Sequence, residues 1–172
     1  MLQNRHDRVV EILYGVCRAH RPYTAVYADH LRAPFKPIGI PAGKGGEVSK
    51  VYHFRPDVWA RLSNGKIDVI EVWDEQSEAG GVQDLILTAL TPRLNSMTIV
   101  CFDEAAVAKA KELASAVLSA AYNGSGSLLL DPSEVARRVI LVPEKIQSDD
   151  AAIKQLVKDR LRATWTRPRT MA

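Results

Sequence analysis

His53-Phe54-Arg55-Pro56-Asp57-Val58-Trp59-Ala60-Arg61-Leu62-Ser63-Asn64-Gly65-Lys66-Ile67-Asp68-Val69-Ile70-Glu71-Val72-Trp73 reads as two strands joined by a glycine turn. Glycine after asparagine supplies the positive φ that a tight hairpin needs. An aspartate stands at the start of the first strand and a glutamate near the end of the second, so the register decides whether they meet. With Asn64 and Gly65 as a two-residue loop, Val58 faces Glu71, Arg61 reaches Asp68, and the two acids project to opposite sides of the sheet. With Ser63, Asn64 and Gly65 as a three-residue loop closed by a glycine bulge, Leu62 faces Lys66 and Asp57 lies across from Glu71, their Cβ atoms roughly 5 Å apart. Apolar pairing accommodates either register. The three-residue loop is favoured because two carboxylates brought together repel unless a cation joins them. A pair so placed can hold a divalent metal.

Around this hairpin the chain alternates helix and strand. Val9, Val10, Leu13, Val16 and Cys17 recur at helical spacing, which predicts an amphipathic helix over 5–20 that ends before Pro22. Residues 24–28 suit a short strand. The stretch from there through Ser49 carries Pro34, Pro37, Gly39, Pro41, Gly43, Gly45 and Gly46, and reads as a long loop. Residues 82–90 are apolar nearly all round and predict a buried helix. Residues 97–102 suit an interior strand, and Asp103 caps an alanine-rich helix to about Ala121, followed by a flexible turn at 123–127. Asp131-Pro132-Ser133-Glu134 starts a short helix, 139–142 is a last strand, and Ser148 caps a helix with Ile153, Leu156, Val157 and Leu161 on one face. The order implies an α/β domain, a mixed β-sheet with a central antiparallel hairpin and helices on both faces. Residues 1–148 form that domain, and 149–172 a C-terminal amphipathic helix and basic tail.

Composition narrows the function classes. The chain has 172 residues, 47% of them hydrophobic, enough for one substantial core. A net charge of +3 is compatible with nucleic acid without requiring it. Cys17 and Cys101 lack the spacing of a zinc site or disulfide framework and read as buried thiols of a reducing, cytoplasmic setting. Residues 1–8 lack an apolar signal core, and no apolar run approaches the ~18 residues of a spanning helix, so no membrane role is expected. Residues 42–46 look like a phosphate loop, but Gly39 is one residue too near and glycine replaces the Ser/Thr, which argues against nucleotide hydrolysis.

Pro56-Asp57 on one strand, with Glu71 and then Trp73 on one face of the next, resemble the PD-(D/E)XK motif of the restriction-endonuclease-like nuclease superfamily, and the order of elements over residues 5–120 is similar. The resemblance implies a restriction-endonuclease-like fold and a Mg²⁺- or Mn²⁺-dependent deoxyribonuclease, with Asp57 and Glu71 as catalytic metal ligands. Several families of this type carry a glutamine on the following helix, where Gln83 falls. Where the family has a catalytic lysine this chain has Trp73, which cannot orient a water or stabilise a pentacovalent phosphate.

The remaining candidates come from the residues themselves. Arg55, facing Trp73 in the three-residue register, would offset phosphate charge in place of the lysine but cannot act as a general base. Lys44 and Lys50 are other substitutes, Lys66 falls on the opposite strand face, and His53 shares the face of Arg55. Trp73 would stack on a nucleobase or fill the core. Glu11 would approach from the first helix. Lys154, Lys158, Arg160, Arg162, Arg167 and Arg169, with Trp165 among them, suit either DNA or docking onto a second copy. Three readings follow: a degenerate DNA endonuclease, a DNA-binding protein of that fold without catalysis, and an interaction subunit that forms a homodimer.

Overall fold

The computed structural model describes residues 4–29, 33–42, 50–74, 77–125 and 130–165. A five-stranded mixed sheet carries helices on both faces. Its strands are β1 (Tyr23–Ala28), β4 (Val58–Leu62), β5 (Ile67–Trp73), β6 (Leu94–Cys101) and β7 (Val139–Leu141), adjacent in that order. The first two pairings are antiparallel and the last two parallel. A separate two-stranded antiparallel sheet pairs β2 (Ile38–Ala42) with β3 (Lys50–Phe54). The helices are α1 (Arg5–Arg18), α2 (Glu78–Ala89), α3 (Glu104–Ser125), α4 (Pro132–Arg137) and α5 (Asp150–Trp165), and a 3-10 turn spans Glu144–Ile146. Among the described residues no helix is long and apolar enough to cross a membrane.

Alternation along β5 builds both halves of the core. All of its residues are buried. Val69 and Trp73 face one apolar cluster with Trp59, Leu85 of α2 and Ala110, Ala114 and Leu118 of α3. Ile70 and Val72 face a second with Val58, Val9, Val10 and Leu13 of α1 and Ile153, Val157 and Leu161 of α5. The C-terminal helix thus shares a core with the first, while Lys154, Lys158, Arg160 and Arg162 on it are exposed. Arg167 and Arg169 lie outside the described residues. Asn4 caps α1 by accepting from the Asp7 N–H at 2.7 Å. Burial pushes the Cys17 and Cys101 thiols up to about 12, and both are free.

Four expectations need correction. The 29–49 stretch is not all loop, because Ile38 and Ile40 alternate with Gly39 and Pro41 and point into the core, each 5% exposed. Proline is tolerated there because a two-stranded sheet leaves one side of each strand without a partner. Helix α2 is not buried all round: Ile86 and the C-cap Leu90 are 45% and 56% exposed, while Gly81, Leu85 and Thr88 are buried and Leu87 and Ala89 pack partly against the core. The α3 helix runs past the expected stop through Asn123 and Gly124 to Ser125. Asp149, not Ser148, caps α5, accepting from the Ala151 and Ala152 N–H groups at 3.0 and 3.1 Å.

Gly81 marks the tightest contact of α2 with the sheet. A Cβ there would stand 2.9 Å from Cη2 of Trp73 and 3.2 Å from Cδ1 of Leu113. Alanine ordinarily gains up to about 1 kcal/mol over glycine inside a helix. Here overpacking against a buried indole outweighs that gain, and Gly81→Ala is expected to destabilise the fold by about 1–2 kcal/mol in a urea titration.

Candidate functional site

The β4–β5 hairpin adopts the three-residue loop. Val58 pairs with Ile70 and Arg61 with Ile67. The Leu62 N–H donates to the Lys66 carbonyl at 2.8 Å, and the Gly65 N–H donates to the Leu62 carbonyl at 2.9 Å. Gly65 has φ of +78°, as a glycine bulge requires. Continued back by one residue, this register brings Asp57 beside Glu71. The Asp57 N–H donates to Oε2 of Glu71 at 3.3 Å, and the Val72 N–H donates to Oδ2 of Asp57 at 2.7 Å. Asp68, which the other register would offer to Arg61, is instead buried and accepts from Tyr23, Asn95 and Ser96 at 2.7, 2.7 and 2.5 Å.

Two further groups complete the cluster. Nε2 of His6, at the start of α1, lies 3.1 Å from Oδ1 of Asp57, and its Nδ1 lies 3.2 Å from Asp7. Asp84 of α2 stands close enough for its charge, with that of Asp57, to act on Glu71. Neither His6 nor Asp84 was singled out from the sequence. A signal for each existed: His6 lies one turn before Val9 and Val10 on the buried stripe of α1, and Asp84 immediately precedes Leu85, the residue that anchors α2.

The electrostatics follow from burial. Glu71 is 4% exposed. Desolvation first, then the charges of Asp57 and Asp84, holds its carboxyl well above the usual range, so it keeps its proton where a surface glutamate has lost it. Burial and then the Asp57 charge push Asp84 up to about 6, while the Trp73 indole N–H pulls the other way. That N–H is near enough to favour the charged carboxylate without completing a hydrogen bond. The hydrogen bond to Asp57 raises His6 to about 9 against the opposing effect of its own burial. At neutral pH the cluster therefore holds an imidazolium on Asp57, and Glu71 parts with its proton less readily than a surface glutamate.

Oε1 of Glu71 is buried without a hydrogen-bond partner. A carboxyl oxygen enclosed in that way, beside a second carboxylate, fits a divalent cation. Among the described residues no three His, Cys, Asp or Glu side chains stand together as a metal-binding group. The protein's share of such a site would be Asp57 and Glu71, with waters and substrate oxygens completing the shell, as Mg²⁺ commonly accepts.

The other sequence candidates are dispersed. The chain leaves the β2–β3 sheet at Phe54 and enters the main sheet at Val58, and Pro56 in between has no N–H to pair. Arg55 consequently does not face Trp73. Its guanidinium lies 4.4 Å over the Phe35 ring and 3.5 Å from Asp29. Trp73 is 2% exposed and packed in the core, so its ring offers no face to a nucleobase. Gln83 is exposed on α2, His53 is exposed on β3 opposite Gly39, and Nζ of Lys50 lies 4.6 Å over the Tyr52 ring. Glu11 and Lys66 are half-buried. Lys44 lies outside the described residues. No family model, curated protein or solved structure matches this chain.

Proposed function

We propose that the chain is a metal-dependent DNA endonuclease of the PD-(D/E)XK type, with a restriction-endonuclease-like fold and Asp57 and Glu71 as the metal ligands. The observation that carries this reading is the buried, unpartnered Oε1 of Glu71 beside Asp57. The α1–β1–β4–β5–α2–β6 order, into which β2 and β3 are inserted, agrees with the element order of that superfamily. Mg²⁺ or Mn²⁺ bound there would polarise a phosphodiester and lower the pKa of a bound water.

The chain's own residues prepare the site. Val72 N–H fixes the Asp57 carboxylate in orientation, and the low-exposure setting of Glu71 strengthens its attraction for a cation once its proton leaves. Trp73 occupies the lysine position and supplies no charge. Among the described residues His6 is the cation paired with Asp57, and its imidazolium would offset the charge of a substrate phosphate brought to the carboxylates. A second reading, DNA binding without hydrolysis, draws on these same two features, Trp73 and the His6–Asp57 ion pair.

Incubation of supercoiled DNA with the protein and Mn²⁺ separates them. The first reading requires nicking by the native chain that disappears in Asp57→Asn and Glu71→Gln. Equal nicking by all three proteins, or salt-sensitive binding with no nicking, removes it.

A further inference from the structure

The inserted β2–β3 pair and the residues just outside it present two aromatic rings to solvent, each with a cation laid over it. Tyr52 is 50% exposed with Nζ of Lys50 4.6 Å above its ring, and Phe35 is 37% exposed with the Arg55 guanidinium 4.4 Å above its ring. Among the described residues, large apolar or aromatic side chains of this exposure are otherwise few, and no other exposed aromatic carries a cation. Tyr52 pairs with Ile40 and stands two residues before Phe54, so it shares the sheet face on which Ile38, Ile40 and Phe54 seat the two strands on the same core cluster as Trp59 and Trp73, and it stays half-exposed at the end of that face. The platform is therefore a fixed part of the domain.

Its position relates it to the carboxylates. Arg55 precedes Asp57 by two residues, and Asp29, which holds the Arg55 guanidinium, donates its N–H to the Asp57 carbonyl at 2.9 Å. Glu71 lies between Val69 and Trp73 and so shares their sheet face, the face on which the hairpin sits.

We infer that β3 and the segments flanking the β2–β3 pair bind unpaired nucleic acid, stacking bases on Tyr52 and Phe35 while Lys50 and Arg55 take the adjoining phosphates. The chemistry is that of single-strand recognition: a flat apolar face accepts any unstacked base, and a neighbouring cation neutralises the phosphate that follows it. Bases within a duplex are stacked on each other and offer no such face. The preferred substrate of the site proposed above would then be DNA carrying a single-stranded segment, such as a flap, gap or branch. This inference rests on the nuclease reading for its substrate, but the binding surface stands on separate residues.

The test is fluorescence anisotropy of the full chain with a labelled single-stranded oligonucleotide and with the duplex of the same sequence, without metal. Tyr52→Ala is expected to weaken single-strand binding roughly 10-fold, in the range found for loss of one base-aromatic stack, while changing duplex binding less than about 2-fold. Tyr52→Phe should restore it. Unchanged single-strand affinity in Tyr52→Ala, equal loss for duplex, or no binding by the native chain would overturn the inference. Because Tyr52 is half-exposed, an unaltered melting temperature verifies that the variant is folded. Tyr52-dependent binding without Asp57-dependent nicking would retain the platform and remove the nuclease, whereas nicking with indifferent Tyr52 would do the reverse.

Discussion

Asp57→Asn is expected to lower Mn²⁺-dependent nicking of supercoiled DNA by roughly 1,000-fold. A metal ion contributes several kcal/mol of charge stabilisation to phosphoryl chemistry, and each 1.4 kcal/mol is about tenfold in rate. The exchange is conservative in shape. An asparagine oxygen still accepts from the Val72 N–H that Asp57 now bonds at 2.7 Å, so the strand start is kept while the formal charge is lost. Glu71→Gln should have a comparable effect, because the amide oxygen can still take the Asp57 N–H but cannot become an anion. The assay is the conversion of supercoiled to open-circular plasmid over time, with far-ultraviolet circular dichroism of each variant as the control for folding. A loss of less than tenfold in both variants would mean that the carboxylates do not carry the reaction.

At pH high enough to strip the Glu71 proton, Glu71→Gln should also raise stability, and the pairing of the two effects distinguishes a functional acid from a structural one. Glu71 is buried beside another acid with one oxygen unpartnered, an arrangement that disfavours the folded chain once the proton is gone. Relief of such a functional compromise is commonly worth about 1–2 kcal/mol, or roughly 2–8 °C in melting temperature for a domain of this size. The pH dependence has a definite sign. A carboxyl with a raised folded-state pKa binds its proton more tightly when folded, so its favourable contribution is full below the ordinary value and lost as pH rises through the folded one. For Asp84 that window runs from 3.8 to about 6, and for Glu71 it begins at 4.5 and extends upward. His6 acts in the same direction, since its gain from Asp57 is full below 6.5 and lost by about 9. The native chain should therefore melt at progressively lower temperature from mildly acid to mildly alkaline pH. Glu71→Gln should flatten that decline from 4.5 upward and His6→Gln the part between 6.5 and about 9. A melting temperature that climbs with pH would contradict this assignment of charges.

What the sequence reveals and conceals follows from the range of the interactions involved. The alternation of Ile67 through Trp73, the stripe on α1 and the Asp103 cap depend on neighbours a few residues away, and each element appears close to where that pattern puts it. The hairpin register was legible only as a choice between two loops, because apolar pairing satisfied both. Gly65 decides it through its positive φ and the bond from its N–H to Leu62. The β2 strand was hidden by Pro41 and Gly39, whose local preference for loops masked the inward alternation of Ile38 and Ile40. His6 and Asp84 were hidden for a different reason. Each reaches Asp57 or Glu71 only once α1 and α2 have docked, and Arg55, two residues from Asp57, is carried away by the turn at Pro56. Sequence proximity placed Arg55 at the site and the family resemblance placed Gln83 there, whereas packing brought in His6 and the residue beside Gln83.

Uptake of a divalent cation by Asp57 and Glu71 together is tested without any nucleic acid by titrating the protein with Mn²⁺ and following the electron paramagnetic resonance signal of the free ion. The native chain should remove one ion per molecule from solution, more tightly as rising pH strips the proton from Glu71, and both Asp57→Asn and Glu71→Gln should abolish the uptake. Uptake that is absent from the native chain, or that persists undiminished in both variants, would contradict the account.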